Sequence, residues 1–212
     1  MTGLWNKFGA ENLYSTIITR NDVDFIFCPI TRCASQWISY RLIDINNFYT
    51  VVQNIGNTNE AFSDYDHKAK LFIVRDPLER MISGARTRED FSLEDFSLDK
   101  ESLFNKLDED IHTLPMSVWF KPFANLDNAV FIKFENWDKL DKFFAPYNLA
   151  PNETVSQDRW TGFNQWIPSD NSDSRISSPW YNYVISNPDI LDNLKEYLDE
   201  DYKFLKTITY YR

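Results

Sequence analysis

Glycine is scarce in this chain, five in 212 residues, and none falls in a GxxxxGK[ST] or GxGxxG pattern. That disfavours a kinase built on a lysine-bearing phosphate loop and an oxidoreductase built on a dinucleotide fold. Cysteine is scarcer still. Cys28 and Cys33 are too few for a disulfide framework and flank one tight turn, so both are expected to be reduced. Neither they nor the two histidines, His67 and His112, have metal-ligand spacing, and no metal is expected. Lysine and arginine (22) are outnumbered by aspartate and glutamate (32), a formal net charge of -10. A bulk nucleic-acid binder needs the opposite balance, so any bound anion must meet a local positive site. Long apolar runs are missing too: there is no stretch of about 18 apolar residues, and the opening MTGLWNKFGAENLYSTIITR lacks a basic-then-apolar leader pattern. The expectation is a soluble, cytoplasmic protein with no membrane partner.

What the chain has is bulk. Aromatic residues make up 17% of it, which suits a packed core of large side chains, and the length suits a single domain over 1–212. DVDFIFCPI reads as a strand covered on both faces, and SQWISYRLIDINNF follows at helical spacing through Trp37, Ile38, Leu42 and Ile45. FYTVVQNI and KLFIVRD read as further strands. The second runs into Asp76 as N-cap and Pro77 as first residue of a helix, LERMISGARTRE. After an acidic, helical insertion over about 91–128, AVFIKFENW reads as another strand, DKLDKFFAPYNL as a short amphipathic helix and PDILDNLKEYLDEDYKFLKTI as a closing helix. The stretch over about 152–179, rich in Ser, Asp, Asn and Trp, reads as a long functional loop. Strand and helix in alternation predict an α/β fold with a central, mainly parallel sheet.

In such sheets ligands sit beyond the carboxyl ends of the strands, where helix N-termini offer free amides. The first of these strands ends in PITRCASQW. Arg32 brings a full charge there, Ser35 and Gln36 add side-chain donors, and the turn amides can cradle a phosphate-like group. The strand KLFIVRD continues as VRDPLERMIS, with Arg75 at the strand tip and Ser83 two turns into the helix, on a side shared with Arg80. Two such sites on neighbouring strand ends suit a ligand with two separated anionic groups. Plainer roles stay open: Arg75 beside Asp76 and Glu79 also reads as an ion-pair partner, and Ser35 as an N-cap.

RCASQW resembles the 5'-phosphosulfate loop, (K/R)xGTTxW, of the sulfotransferases that use 3'-phosphoadenosine 5'-phosphosulfate (PAPS). Arg32 stands at the basic position, Ala34 at glycine, Ser35 at threonine and Trp37 at the aromatic. A register one residue earlier would put Thr31 at the basic position. VRDPLERMISGA resembles the family's 3'-phosphate motif, VRxPxxRxxSxY, at Val74, Arg75, Pro77, Arg80 and Ser83, and departs from it at Ala85. Weaker similarity to the carbohydrate sulfotransferases in DIHTLP, VFIKFENWDKL and YLDEDYKFL extends the resemblance over roughly Phe25 to Leu205. It implies a P-loop-like three-layer α/β/α fold and sulfuryl transfer to an acceptor hydroxyl or amine. It also implies PAPS and its product 3'-phosphoadenosine 5'-phosphate (PAP) as cofactor pair, and no metal. Thr31, Arg32, Cys33, Ala34, Ser35, Gln36 and Trp37 would line the phosphosulfate, Arg75 and Ser83 the 3'-phosphate, and Arg175 would close over the cofactor as a late basic residue. Arg32 would be catalytic, stabilising the bridging oxygen as it becomes phosphate.

The acceptor also needs a base. Glu60 and His67, with Asp64 and Asp66, lie in NEAFSDYDHKAK and are candidates; an exposed surface histidine is the plainer reading of His67. His112 and Trp166 are candidates for the acceptor pocket, with Trp160, Phe163 and Trp180 as further aromatics, against plainer roles as a helix-end histidine and as core. Arg175 reads equally as a solvated arginine. The acceptor stays open between a glycan, a small alcohol and a tyrosine. The competing functions are a small nucleotide or metabolite kinase and an inactive PAPS-binding relative.

Overall fold

The computed structural model describes residues 14–54, 62–123, 125–149 and 178–212. One five-stranded sheet, ordered β3-β1-β2-β4-β5, organises them. Its strands are β1 Tyr14–Thr19, β2 Phe25–Phe27, β3 Tyr49–Asn54, β4 Ala69–Val74 and β5 Ala129–Lys133. All of β2 and all but the first residue of β4 are buried, which is why both read as continuous apolar runs. β4 pairs parallel with β2 on one side and with β5 on the other.

The other edge departs from expectation. FYTVVQNI does form β3, yet it joins through β1, and β1 pairs antiparallel with both β2 and β3. The segment YSTIIT carries no clean alternation, because Ser15, Ile17, Ile18 and Thr19 are all buried. The fold is α/β, with a mixed sheet whose parallel half carries the two junctions of interest.

Helix α1, Ser35–Tyr40, follows β2 and opens into π winding over Arg41–Ile45. Helix α2, Pro77–Ala85, follows β4 and starts as the sequence predicts: the Asp76 carboxylate accepts the Glu79 N–H at 3.0 Å, and Pro77 opens the first turn. The acidic insertion supplies α3, Lys100–Leu107, and α4, Ser117–Phe120; α5, Trp137–Phe144, follows β5. The chain then closes with α6, Pro179–Ile185, α7, Pro188–Tyr197, and α8, Asp199–Leu205.

The closing helix expected from the sequence is therefore broken. Leu198 leaves helical geometry, and Asp199, Glu200 and Asp201 form a new acidic N-terminus, which the helix dipole favours. Asp201 turns inward and accepts the N–H groups of Met116 and Ser117 at 2.6 and 2.8 Å, so the break fastens the C-terminal helices to the start of α4.

Two apolar clusters hold these parts together. The larger surrounds the sheet; in it Phe72 stacks on Phe131 with centroids 5.4 Å apart, and Phe120 meets Phe72 edge-on. The smaller gathers Leu78, Met81 and Ile82 of α2 with Leu103, Val184 and Leu194. Each fully buried Leu or Met contributes about 1.5–3 kcal/mol, so α2 is pinned along its whole length. No helix among the described residues is long and apolar enough to cross a membrane.

Candidate anion-binding site

Between β2 and α1 the backbone reverses within four residues, and the manner of the turn is informative. Arg32 (φ 64°) and Ala34 (φ 57°) both adopt left-handed conformations, which cost a residue with a Cβ about 1–2 kcal/mol each. Cys33 closes the turn by donating its N–H to Ile30 O at 3.2 Å. Among the described residues no side chain caps the N-terminus of α1, where Ala34 stands at the cap position. Strain of this kind persists only where the surroundings impose it. Here Thr31 Oγ1 donates to Ile111 O at 3.2 Å, and Arg80 donates to Thr31 O at 3.5 Å.

Arg32 joins the two motifs. Its Nε and Nη2 donate to Ser83 Oγ at 3.2 and 3.1 Å, across a separation of 51 residues. The loop after β2 and the helix after β4 thus meet at one place. Arg75, at the tip of β4, pairs through Nε with Glu79 Oε2 at 3.2 Å and lies over the Phe134 ring. The ion-pair reading of Arg75 is realised, and its charge still bears on Arg32. The Arg32 guanidinium is pushed down to about 10, first by burial and then by the positive charges of Arg75, Arg86 and Arg80.

Two of these arginines lay outside the candidate set. Arg80 is fully buried and acts as a latch: it donates to the carbonyls of Thr31, His112 and Leu114, and its guanidinium lies 5.4 Å from the Trp119 ring centroid. Arg86, exposed at the end of α2, follows Ser83 by three residues and so shares its side of the helix. That spacing was the signal for it in the sequence.

The segment Asp110–Leu114 lies across both elements. Gly84 allows this: a Cβ there would stand 1.9 Å from His112 O, so the helix and the segment touch backbone to backbone. His112 is half-exposed, with Nδ1 2.7 Å from Asp110 Oδ1, and its own N–H donates to the same oxygen. A carboxylate facing Nδ1 favours the tautomer protonated there and leaves Nε2 as the acceptor.

The other expected residues divide. Thr31, Ser35 and Gln36 line a cleft of about 440 Å³ on the α1 side of the loop. Cys33 is fully buried with its thiol pushed up to about 12 by that burial, and Ala34 has no polar side chain, so both offer only backbone. Trp37, half-buried, packs edge-on against Trp137 at 4.9 Å beside Arg41. His67 is not brought to the site: it is exposed just before the amino end of β4, whereas Arg75 follows its carboxyl end. A rise of roughly 3.3 Å per residue along the strand puts the two at opposite rims of the sheet. Asp64 and Asp66 lie on His67's side, where Asp66 pairs with Lys70. Trp180 packs against Phe91 and Phe96 in the smaller cluster, which is a core role. Glu60, Trp160, Phe163, Trp166 and Arg175 lie outside the described residues.

Compared with models of known families, with curated proteins and with solved structures, the chain matches none of them.

Proposed function

We propose that the protein binds PAPS and moves its sulfuryl group to an acceptor hydroxyl or amine. One observation carries the reading. Arg32 grips Ser83, so the two expected anion sites converge, and Arg75, Arg80 and Arg86 crowd the same place with positive charge. Clustered guanidiniums raise a local positive potential that draws a multiply charged anion even on a chain of negative net charge. The donor set fits the cofactor, because phosphate and sulfate oxygens only accept while guanidiniums and hydroxyls donate. The P-loop-like three-layer fold and a cytoplasmic location belong to the same proposal; the parallel order β2-β4-β5, with both motifs at carboxyl ends, supports the former.

When bound, the nucleotide supplies a sulfuryl group already activated by its bond to phosphate. Arg75, Ser83 and Arg86 would hold the 3'-phosphate. Arg32, Ser35, Gln36 and the loop amides would hold the opposite anionic end, with Arg32 placed to steady negative charge as it develops. Arg80 would touch no ligand; by tying Thr31 to His112 and Leu114 it fixes the loop against the segment that faces it. His112 would take the acceptor proton at Nε2, with Asp110 orienting the ring.

Calorimetric titration with PAP, set against ATP and Mg²⁺, tests this. PAP is expected to bind, and Arg75→Ala and Ser83→Ala are each expected to weaken it by about tenfold or more. Binding of ATP with Mg²⁺ but not PAP would overturn the proposal in favour of a kinase. PAP binding with no transfer of labelled sulfate to a broad acceptor panel would favour an inactive relative.

A further inference from the structure

The loop between β2 and α1 has a second side. Arg32 points across it to Ser83 and the arginine cluster, whereas Thr31, Ser35 and Gln36 face the cleft described above. Along α1 and its π-wound continuation, Ser35 and Ser39 form one row of residues four apart, and Gln36, Tyr40 and Asp44 form the next. These two rows make the floor. Trp119 and Ile111 supply an apolar wall. Among the described residues Asp44 is the one charged side chain that lines this space, and it is exposed. The loop thus borders a place crowded with cations on one side and, on the other, a cleft whose one charged lining residue among those described is anionic.

We infer that this cleft is the acceptor subsite, and that it takes an uncharged, hydroxyl-bearing ring with one apolar face. The inference rests on the sulfuryl-transfer reading: Thr31, Ser35 and Gln36 belong both to the loop that would hold the sulfuryl end and to the cleft lining, so an acceptor hydroxyl in the cleft would meet the sulfur at that edge. A volume of about 440 Å³ lies within the range of small-ligand sites. The indole wall suits a flat carbon face, while the Ser39 and Tyr40 hydroxyls and the Asp44 carboxylate, away from the loop, suit ring hydroxyls. Asp44 is the specificity-determining residue: its carboxylate accepts from a neutral hydroxyl and repels a carboxylate or sulfate carried on the same ring.

The test uses a matched pair, p-nitrophenyl β-glucoside and p-nitrophenyl β-glucuronide, which differ by a hydroxymethyl group against a carboxylate. Each is titrated into the full chain with PAP present, at low ionic strength, with binding followed by saturation-transfer NMR. The glucoside is expected to bind about fivefold or more tightly than the glucuronide, and Asp44→Asn is expected to bring the two close together. Tyr40→Phe is expected to weaken the glucoside while leaving PAP affinity unchanged. Equal binding of the pair, a preference for the glucuronide, or no binding of either would overturn the inference; so would a preference that Asp44→Asn leaves untouched. PAP affinity, measured on the same samples, tells the two readings apart: retained PAP binding with any of those results sinks the cleft alone, and loss of PAP binding by the unsubstituted chain sinks the sulfuryl-transfer reading.

Discussion

At the amino rim of the parallel strands, Lys68 Nζ is met by Thr19 Oγ1 at 3.3 Å, Arg20 O at 2.9 Å and Val23 O at 2.8 Å, and Lys70 lies 3.4 Å from Asp66. At the carboxyl rim, Arg32, Arg75, Arg80 and Arg86 bear on one another. The same sheet therefore treats positive charge in two ways. Lys68 is buried and surrounded by oxygen, the arrangement of a cation placed for stability. Arg32 reaches across 51 residues to the Ser83 hydroxyl, with Arg75, Arg80 and Arg86 close enough to act on it, at the rim where the two junctions meet. Arg80 stands at the second rim but behaves like the first, since carbonyl oxygens of three residues receive its donors. Being an arginine of the cluster does not make a residue a ligand contact; the partners already bound to it decide.

The comparison breaks if the two rims respond alike to loss of a cation. Lys68→Met strips a donor from a buried hydroxyl and two carbonyls, and is expected to cost about 2–4 kcal/mol of stability with PAP affinity unchanged; urea unfolding and calorimetry read the two quantities. Arg32→Met keeps the left-handed backbone and removes like-charge repulsion together with the bonds to Ser83, so stability is expected to fall by less than in Lys68→Met while PAP affinity falls by about tenfold or more. A stability loss as large as that of Lys68→Met would erase the distinction. The smallest effect sharpens it: Ala34→Gly relieves a left-handed alanine and loosens the unfolded chain, for a net gain of about 0.5–1 kcal/mol in thermal unfolding. No gain would mean that the turn at the second rim stores no strain at Ala34.

Much of the parallel half was legible because its signals are local. Asp76 and Pro77 mark the start of α2 by themselves, and the buried run of β4 is unmistakable. Arg75 and Ser83 could be picked out for the same reason, since strand tip and helix turn fix both. β1 was not legible, because burial on both faces removed the alternation that marks an edge ribbon. The bond from Arg32 to Ser83 was not legible either, as it spans 51 residues and depends on how two junctions approach in space. For His67 the order of the chain was enough: a residue just ahead of β4 falls at the amino rim, away from Arg75.

The bare contact between Gly84 and the carbonyl of His112 reaches beyond this one chain. A single methyl at that position would wedge the helix away from the segment that crosses it, so descendants and distant cousins that keep this crossing are confined to the smallest residue immediately after the serine. Serine followed at once by glycine, the serine six residues after the proline of an Arg-Asp-Pro that follows a strand, thereby becomes a search key for genomes in which overall similarity has faded.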